Sequence, residues 1–284
     1  MTTPSLLGGI EAGGTKFVCS IGDAEGRLLE TERFPTTTPD QTIARAIDFF
    51  RHRTDLAAIG IASFGPINRR TGCIGSTPKP GWRDVEFAGR VKSELGLPVA
   101  FDTDVNGAVM AERRWGAARG VDDVLYLTVG TGIGGGAIVD GHLIHGQMHP
   151  EVGHVRVPHD WQRDPFPGAC FFHGDCLEGL ASGAAMKQRW GVGAEQLPPE
   201  HEAWPLEAHY LALGICNFLC VLSPRLVLVG GGVGSKPELL EMVRAEVRGL
   251  LKGYLEEPEI RIPGLGADAG VLGAIALTEH ATGY

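Results

Sequence analysis

The chain has 284 residues, of which 43% are hydrophobic and 21% are charged, an ordinary balance for one large α/β domain or two smaller ones. Its formal net charge of −9 argues against a general role in binding nucleic acid or anionic membranes. No charged and apolar leader precedes Gly8, and no uninterrupted apolar run is long enough to cross a bilayer, so we expect a cytoplasmic protein.

The first predicted element is a strand, a tight turn and a second strand over residues 8–21. Apolar flanks around Gly13 and Gly14 are typical of a β-hairpin. The backbone N–H groups, the Thr15 hydroxyl and the Lys16 ammonium could also bind phosphate oxygens. A plain hairpin explains the same residues, and the glycine spacing is neither that of the P-loop nor that of a dinucleotide fingerprint.

Helices and strands alternate after this hairpin. Apolar periodicity and short apolar runs predict a helix, a strand, a helix and a strand at Thr42–Arg53, Ala57–Phe64, Phe87–Leu95 and Pro98–Phe101. A stiff extended loop is predicted at Thr77–Trp82, where prolines stand on both sides of Lys79.

An acidic segment, Asp102–Asn106, joins a predicted strand to an alanine-rich helix. Asp104 could be the N-cap of that helix. It could equally be a general base, because α/β folds bind their ligands at the carboxyl ends of strands. The segment alone does not distinguish these two roles.

Two further glycine turns follow predicted strands. The strand Asp123–Val129 runs into Gly130–Gly136 and a second strand, which repeats the hairpin of residues 8–21 and suggests an internal duplication. The buried strand Leu226–Val229 runs into Gly230–Gly234, where bare backbone suits a flat base or ribose. The remaining helices are predicted at Leu180–Trp190, Leu206–Leu222, Leu239–Leu251 and Ala269–Glu279, with a loop at Glu195–Pro205.

Four soft or borderline metal ligands follow the pattern H-x15-C-x2-H-x2-C: His154, Cys170, His173 and Cys176. Two imidazoles and two thiolates complete a tetrahedral Zn²⁺ site and leave no position for water, so the pattern predicts a structural zinc. The alternative is that they are ordinary core or surface residues, which two successive x2 spacings disfavour. Three nearby histidines break the spacing and are interpreted as loop histidines: His145, His149 and His159.

Two carboxylates accompany these ligands. Glu151 stands three residues before His154, and Glu178 stands two residues after Cys176. A metal ion would pin the long loop and hold both acids in place. We therefore expect this loop to form a wall of a polar small-molecule site.

Taken in order, the motifs resemble the ROK family of sugar kinases, whose α/β fold is that of the two-lobed actin-like ATPases (ribonuclease H-like), with a ligand cleft between the lobes. The matching motifs cover nearly the whole chain: Glu11–Lys16, Asp102–Asn106, Thr128–Gly136, Glu151–His154, the four metal ligands and Gly230–Gly234. The ligand set, together with Glu11–Phe17 and Thr77–Trp82, is most similar to the bacterial zinc-containing fructokinase branch.

The resemblance implies ATP-dependent phosphorylation of a hexose, with D-fructose converted to fructose 6-phosphate. It implies a small lobe of residues 1–101 joined by the C-terminal helix 268–284, a large lobe of residues 102–267, and a homodimer. Asp104 would be the general base, and the sugar would be bound by Asp104, Asn106, Glu151, His154 and Glu178. The nucleotide, with its Mg²⁺, would be bound by Glu11, Gly13, Gly14, Thr15, Lys16, Thr131, Gly132, Gly231 and Gly232.

Three residues depart from the common family pattern. Glu11 replaces an aspartate near the Mg²⁺ hydration shell, Thr103 replaces a sugar-binding asparagine, and His173 replaces a cysteine. Thr103 leaves the identity of the hexose open, so a glucokinase, a mannokinase or an N-acetylhexosamine kinase are alternatives.

Two alternatives belong to other functional classes. A sugar-responsive repressor of this family would carry a helix-turn-helix domain before the first glycine turn, where this sequence has seven residues before Gly8. A non-catalytic sugar- or nucleotide-binding regulator is disfavoured by the presence of Asp104 and the glycine turns.

Overall fold

The computed structural model describes residues 6–77 and 79–281, so Pro78 of the predicted stiff loop lies outside the described residues. The strands are β1 (Leu6–Ala12), β2 (Lys16–Gly22), β3 (Leu28–Pro35), β4 (Leu56–Ser63), β5 (Ile67–Asn68), β6 (Cys73–Ile74), β7 (Val85–Glu86), β8 (Val99–Thr103), β9 (Val124–Val129), β10 (Ile133–Val139), β11 (His142–Leu143), β12 (Leu226–Gly230) and β13 (Glu259–Arg261). The helices are α1 (Pro39–Arg51), α2 (Ala88–Leu95), α3 (Asp104–Trp115), α4 (Leu177–Ala181), α5 (Gly183–Trp190), α6 (Ala203–Leu222), α7 (Gly231–Gly234), α8 (Pro237–Leu251) and α9 (Ala269–Leu277).

The chain divides into two compact units. The first contains the described residues of Met1–Arg119, His145–His149 and Leu265–Tyr284, and the second contains Gly120–Ile144 and Pro150–Gly264. Helix α3 packs closely on α9 within the first unit, since a Cβ on Gly273 would lie 2.5 Å from the carbonyl carbon of Gly107. The lobe boundaries implied by the family resemblance remain a prediction.

The first unit is built on a five-stranded sheet with the order β3-β2-β1-β4-β8. Strands β1, β2 and β3 are antiparallel neighbours, whereas β1, β4 and β8 are parallel. The last residues of the parallel strands are direct neighbours: Ala12 pairs with Ser63, and Ser63 pairs with Thr103. The first glycine turn and the acidic segment therefore leave the same edge of the sheet.

The second unit has a five-stranded sheet with the order β11-β10-β9-β12-β13 and the same strand directions. This shared topology is the arrangement expected of a duplicated unit. Thr128, next to the second glycine turn, pairs with Gly230, which begins the third. A small sheet of β5, β6 and β7 has no equivalent among the described strands of the second unit.

Both hairpins and the long helices lie where the sequence predicts them, and three details differ. The helix predicted over Leu180–Trp190 is present as two helices: α4 begins earlier, at Leu177, and Ser182 separates it from α5, which Ser182 caps by accepting the Ala185 N–H at 3.1 Å. The third glycine turn continues as the short helix α7. Helix α6 begins inside the predicted loop, with a proline in its first turn, where the missing N–H is tolerated.

Helix α6 is the one described helix that is long and apolar enough to cross a membrane, with 20 residues and a mean hydropathy of 1.4. It packs instead in the core of the second unit, where Leu211, Ile215 and Phe218 join side chains of β9 and β12. An apolar helix in a globular core has the same composition, so this helix is explained by packing.

Candidate functional site

The first glycine turn connects β1 to β2 and leaves its outer face open. The Gly13 N–H donates to the Lys16 carbonyl at 3.0 Å, and a Cβ on Gly13 would lie 2.7 Å from that oxygen, so only glycine fits. Thr36 holds the turn from behind by donating its hydroxyl to the Gly13 carbonyl at 2.7 Å and its N–H to the Thr15 carbonyl at 2.9 Å. Gly14, Thr15 and Lys16 are exposed and can offer N–H, hydroxyl and ammonium groups to an anion.

Glu11 is the acid beside this turn. Its carboxyl group faces the start of α9, where a Cβ on Gly270 would lie 2.4 Å from the Glu11 carboxyl carbon. Burial raises the pKa of Glu11, and the charges of Lys16 and Arg33 offset only part of that rise. A partly buried carboxylate of this kind suits a hard divalent cation, since Mg²⁺ takes carboxylate and phosphate oxygens as ligands.

Asp104 is the first residue of α3, and the N-cap role considered for it belongs to Thr103. The Thr103 hydroxyl accepts the N–H of Asn106 at 3.2 Å. Asp104 is exposed, and its Oδ1 accepts the N–H of Val105 at 2.9 Å. Its carboxylate thus stands at the positive end of a helix, where the anionic form that a base requires is stabilised.

Asp102 is a buried carboxylate two residues before Asp104 and is only 3% exposed. Its Oδ1 accepts the Asn106 Nδ2–H and the Thr103 N–H, both at 2.8 Å. Its Oδ2 lies 2.7 Å from His145 Nε2 and 3.0 Å from Arg69 Nε. Burial raises the pKa of Asp102, but the His145 hydrogen bond and charge, the Arg69 charge and the Asn106 hydrogen bond together lower it below its usual value.

The histidines interpreted as loop residues all make defined contacts. His145 contacts Asp102, and His149 Nε2 accepts the N–H of Ile67 at 3.1 Å. His159 Nε2 lies 2.9 Å from the carbonyl of Asp164. Sequence reasoning missed these roles because the partners of His145 and His149 are distant in sequence and no spacing rule connects them.

The second glycine turn is held by two helices of the second unit. The N–H groups at the start of α5 donate into it, from Gly183 to the Gly130 carbonyl at 2.7 Å and from Ala184 to the Thr131 carbonyl at 3.2 Å. From α4, Glu178 Oε2 accepts the N–H of Ile133 at 2.9 Å. The structure therefore places Glu178 directly against Gly132, where a Cβ would lie 2.5 Å from that same oxygen.

Glu151 and His154 flank a single turn that packs on the start of β10. The turn needs glycine at its centre, because a Cβ on Gly153 would lie 2.1 Å from the carbonyl oxygen of Ile133. The His154 N–H donates to the Glu151 carbonyl at 3.0 Å, and the Glu151 side chain is exposed. This turn thus sits beside the residue that Glu178 also contacts.

The four side chains with metal-ligand spacing form one group that could hold a metal ion. Their ligand atoms all lie within 4.8 Å of one another. His154 Nδ1 is 3.6 Å from the sulfurs of both Cys170 and Cys176, and His173 Nδ1 is 3.6 Å from the Cys170 sulfur. Bonds of about 2.3 Å to sulfur and 2.0 Å to nitrogen in a tetrahedral zinc site give S···N edges of about 3.5 Å, so the group fits Zn²⁺. Since Nδ1 of His154 faces the sulfurs, Nε2 is left for another partner.

The third glycine turn leaves bare backbone at the end of β12. Gly231 has a left-handed φ of +87°, and a Cβ there would lie 2.4 Å from the Val129 carbonyl oxygen. Apart from its chain neighbours and the backbone of its own helix, no atom of the described residues lies within 4 Å of a Cβ built on Gly232, and Gly232 is exposed. A flat ligand group could therefore approach the backbone here without meeting a side chain of Gly231 or Gly232.

The sequence model of one protein family, described as the ROK family, matches residues 7–281. This chain belongs to the ROK family. A relative named fructokinase, from Zymomonas mobilis, is 41% identical and is matched over 96% of each chain.

Two solved structures extend this comparison. The ROK hexokinase from Thermus thermophilus matches with a TM-score of 0.82 and 29% identity, over 95% of this chain and 97% of its own. A ROK family glucokinase from Streptomyces griseus, solved in complex with glucose and AMPPNP, matches with a TM-score of 0.78 and 28% identity, over 96% of this chain and 98% of its own. The predicted fold class, the α/β fold of the ROK sugar kinases, is therefore confirmed.

Proposed function

We propose that this ROK protein is an ATP-dependent fructokinase that converts D-fructose to fructose 6-phosphate. The choice of fructose rests on sequence identity. This chain is 41% identical to a fructokinase and 28% identical to the glucokinase of known structure. The acidic segment, two hairpin glycine turns and a third bare-backbone turn supply the chemical groups that such a reaction needs.

Asp104 acts as the general base in this proposal. It takes the proton from the sugar hydroxyl, whose oxygen attacks the γ-phosphorus of ATP while the bond to the bridging oxygen breaks and ADP leaves. Its position at the start of α3, with one oxygen accepting a backbone N–H, supports this role because the carboxylate is exposed and the positive end of a helix favours an anion.

The remaining groups bind and orient the two substrates. Sugar hydroxyls are bound by Asn106, Glu151, His154 and Glu178, since carboxylates accept several O–H donors at once. Phosphate oxygens are bound by Gly13, Gly14, Thr15, Lys16, Thr131 and Gly132, and the nucleoside packs on Gly231 and Gly232. Glu11 is the residue that fits Mg²⁺, which when bound would neutralise charge on the phosphates.

The metal group has a structural role in this proposal. Zn²⁺ bound by His154, Cys170, His173 and Cys176 leaves no ligand position for water. With such an ion bound, these four ligands would hold the loop that carries Glu151, and His154 would be oriented through Nδ1 so that its Nε2 could bind the sugar.

The first test is ADP release from Mg-ATP with fructose, mannose, glucose, N-acetylglucosamine and N-acetylmannosamine as separate acceptors. We expect a clear preference for fructose. Asp104→Asn should lower kcat by about a hundredfold or more without changing the melting temperature. Asp48→Asn, at an exposed position of α1, is the matched control and should retain full activity.

Each other outcome has a distinct meaning. A preference for another hexose would refute the sugar assignment and retain the kinase. Normal turnover by folded Asp104→Asn would refute the proposed base. No turnover with any sugar by zinc-loaded protein would favour a non-catalytic sugar- or nucleotide-binding regulator.

A further inference from the structure

The side chains clustered around Asp102 make more contacts than are needed to cap the first turn of α3. Thr103 already caps α3 through its own hydroxyl. The Asp102 carboxylate beside this cap is nevertheless only 3% exposed. The side chains of His145 and Arg69, which are distant in sequence, both contact it. The side chains of His145 and Arg69 stay partly exposed, at 22% and 30%, but burying the Asp102 carboxylate is costly, and capping α3 does not require it.

The proton positions in this cluster follow from the distances. Asp102 Oδ2 and His145 Nε2 are 2.7 Å apart, and the lowered pKa of Asp102 keeps this carboxyl ionised. A carboxylate only accepts hydrogen bonds, so His145 Nε2 carries the proton. The same nitrogen cannot then accept from Asn106 Nδ2, which is 3.4 Å away.

The orientation of the Asn106 amide follows in turn. Asp102 Oδ1 is 2.8 Å from Asn106 Nδ2, and a flipped amide would set two acceptor oxygens against each other at that distance. The amide is therefore fixed with Nδ2 toward Asp102 and Oδ1 away from it. Asn106 is 1% exposed, and its Oδ1 is buried without a hydrogen-bond partner among the described residues.

A buried, unpaired acceptor beside the proposed base points to a hydroxyl donor on a ligand. We propose that His145 and Arg69 are positioning residues which, through Asp102, orient Asn106 so that its Oδ1 accepts a hydroxyl of the bound sugar. This inference rests on the proposed kinase function. Arg69 and the Nε2–H of His145 also offset the Asp102 charge, which would otherwise lie uncompensated two residues from Asp104.

The test compares His145→Leu with His145→Gln, because the glutamine Nε2 can donate to Asp102 as the imidazole Nε2 does. His145→Leu should raise the KM for fructose about tenfold, the effect of one lost hydrogen bond, and leave the KM for ATP within about twofold. His145→Gln should restore the fructose KM to within about threefold of the unmodified value. The control is His209→Leu, which removes a histidine 3.2 Å from Glu246 in the second unit, and it should change neither constant.

Deoxy analogues of fructose identify the hydroxyl concerned. If Asn106 Oδ1 accepts one sugar hydroxyl, the analogue that lacks this hydroxyl should have the same raised KM with the unmodified protein and with His145→Leu. For every other analogue, the KM should still be higher with His145→Leu than with the unmodified protein.

Four results would overturn the inference. In folded His145→Leu, an unchanged fructose KM, or an equal rise in both KM values, would reject it and leave the proposed kinase intact. If His145→Leu does not fold, Asp102→Asn takes its place, and an unchanged fructose KM in that variant would reject the inference. No turnover by the unmodified protein would overturn both the inference and the function on which it rests.

Discussion

A buried glutamate in α6 should make the stability of this protein fall as the pH rises. Glu207 is 1% exposed, and neither of its carboxyl oxygens has a hydrogen-bond partner among the described residues. The nearby Arg189 directs Nε and Nη2 to Asp164, at 3.1 and 3.0 Å. Burial raises the pKa of Glu207 well above its usual value, and the Arg189 charge opposes only part of this rise.

The size of the effect follows from proton linkage. The unfolded chain loses the Glu207 proton near pH 4.3, whereas the folded protein retains it to a higher pH. Between these two pKa values the folded state alone holds the proton, so its stability declines by about 1.4 kcal/mol for each pH unit. Glu207→Gln is neutral in both states, and its free energy of unfolding should therefore exceed that of the unmodified protein by an amount that grows with pH.

Urea denaturation of both proteins at pH 5, 6 and 7 measures this difference. We expect the advantage of Glu207→Gln to increase from pH 5 to pH 7, by at most about 1.4 kcal/mol for each pH unit. Glu200→Gln, at an exposed loop position, is the control and should stay within about 0.5 kcal/mol of the unmodified protein throughout. A Glu207→Gln advantage that is the same at pH 5 and pH 7 would show that this carboxyl ionises normally, and the argument from burial would be wrong.

Three further predictions concern the metal and the packing. Purified protein should contain about one zinc per chain, and chelation or Cys176→Ser should lower both melting temperature and activity; activity lost without a change in melting would instead indicate a metal that takes part in the chemistry. Gly60→Ala should cost about 3 kcal/mol in urea denaturation, because its Cβ would lie 1.7 Å from a carbonyl oxygen of α9, whereas the exposed helical Gly249→Ala should gain about 0.5–1 kcal/mol; equal effects would contradict the packing argument. Asp164→Ala should cost about 3–5 kcal/mol, since it leaves the buried Arg189 without its carboxylate; a loss below about 1 kcal/mol would mean that this ion pair is not a major support.

Local patterns were sufficient to predict much of the candidate site. The two hairpin glycine turns were predictable because a tight turn between strands needs glycine at particular positions, as the close contact of Gly13 with the Lys16 carbonyl shows. The metal ligands were predictable because three of them lie within seven residues, Cys170–Cys176, and so must lie close together. Strand β3 escaped prediction because it is largely polar and lies at a sheet edge.

The sequence by itself determined the order of the motifs, the chemistry of each turn and the ligand set, because these depend on residues that are near one another along the chain. Only the tertiary structure showed that His145 meets Asp102 across 43 residues and that Glu178 meets Ile133 across 45. Such pairs are decided by strand register and helix packing, which bring together residues with no fixed spacing. The same holds for the burial of Glu207, which depends on how α6 is surrounded.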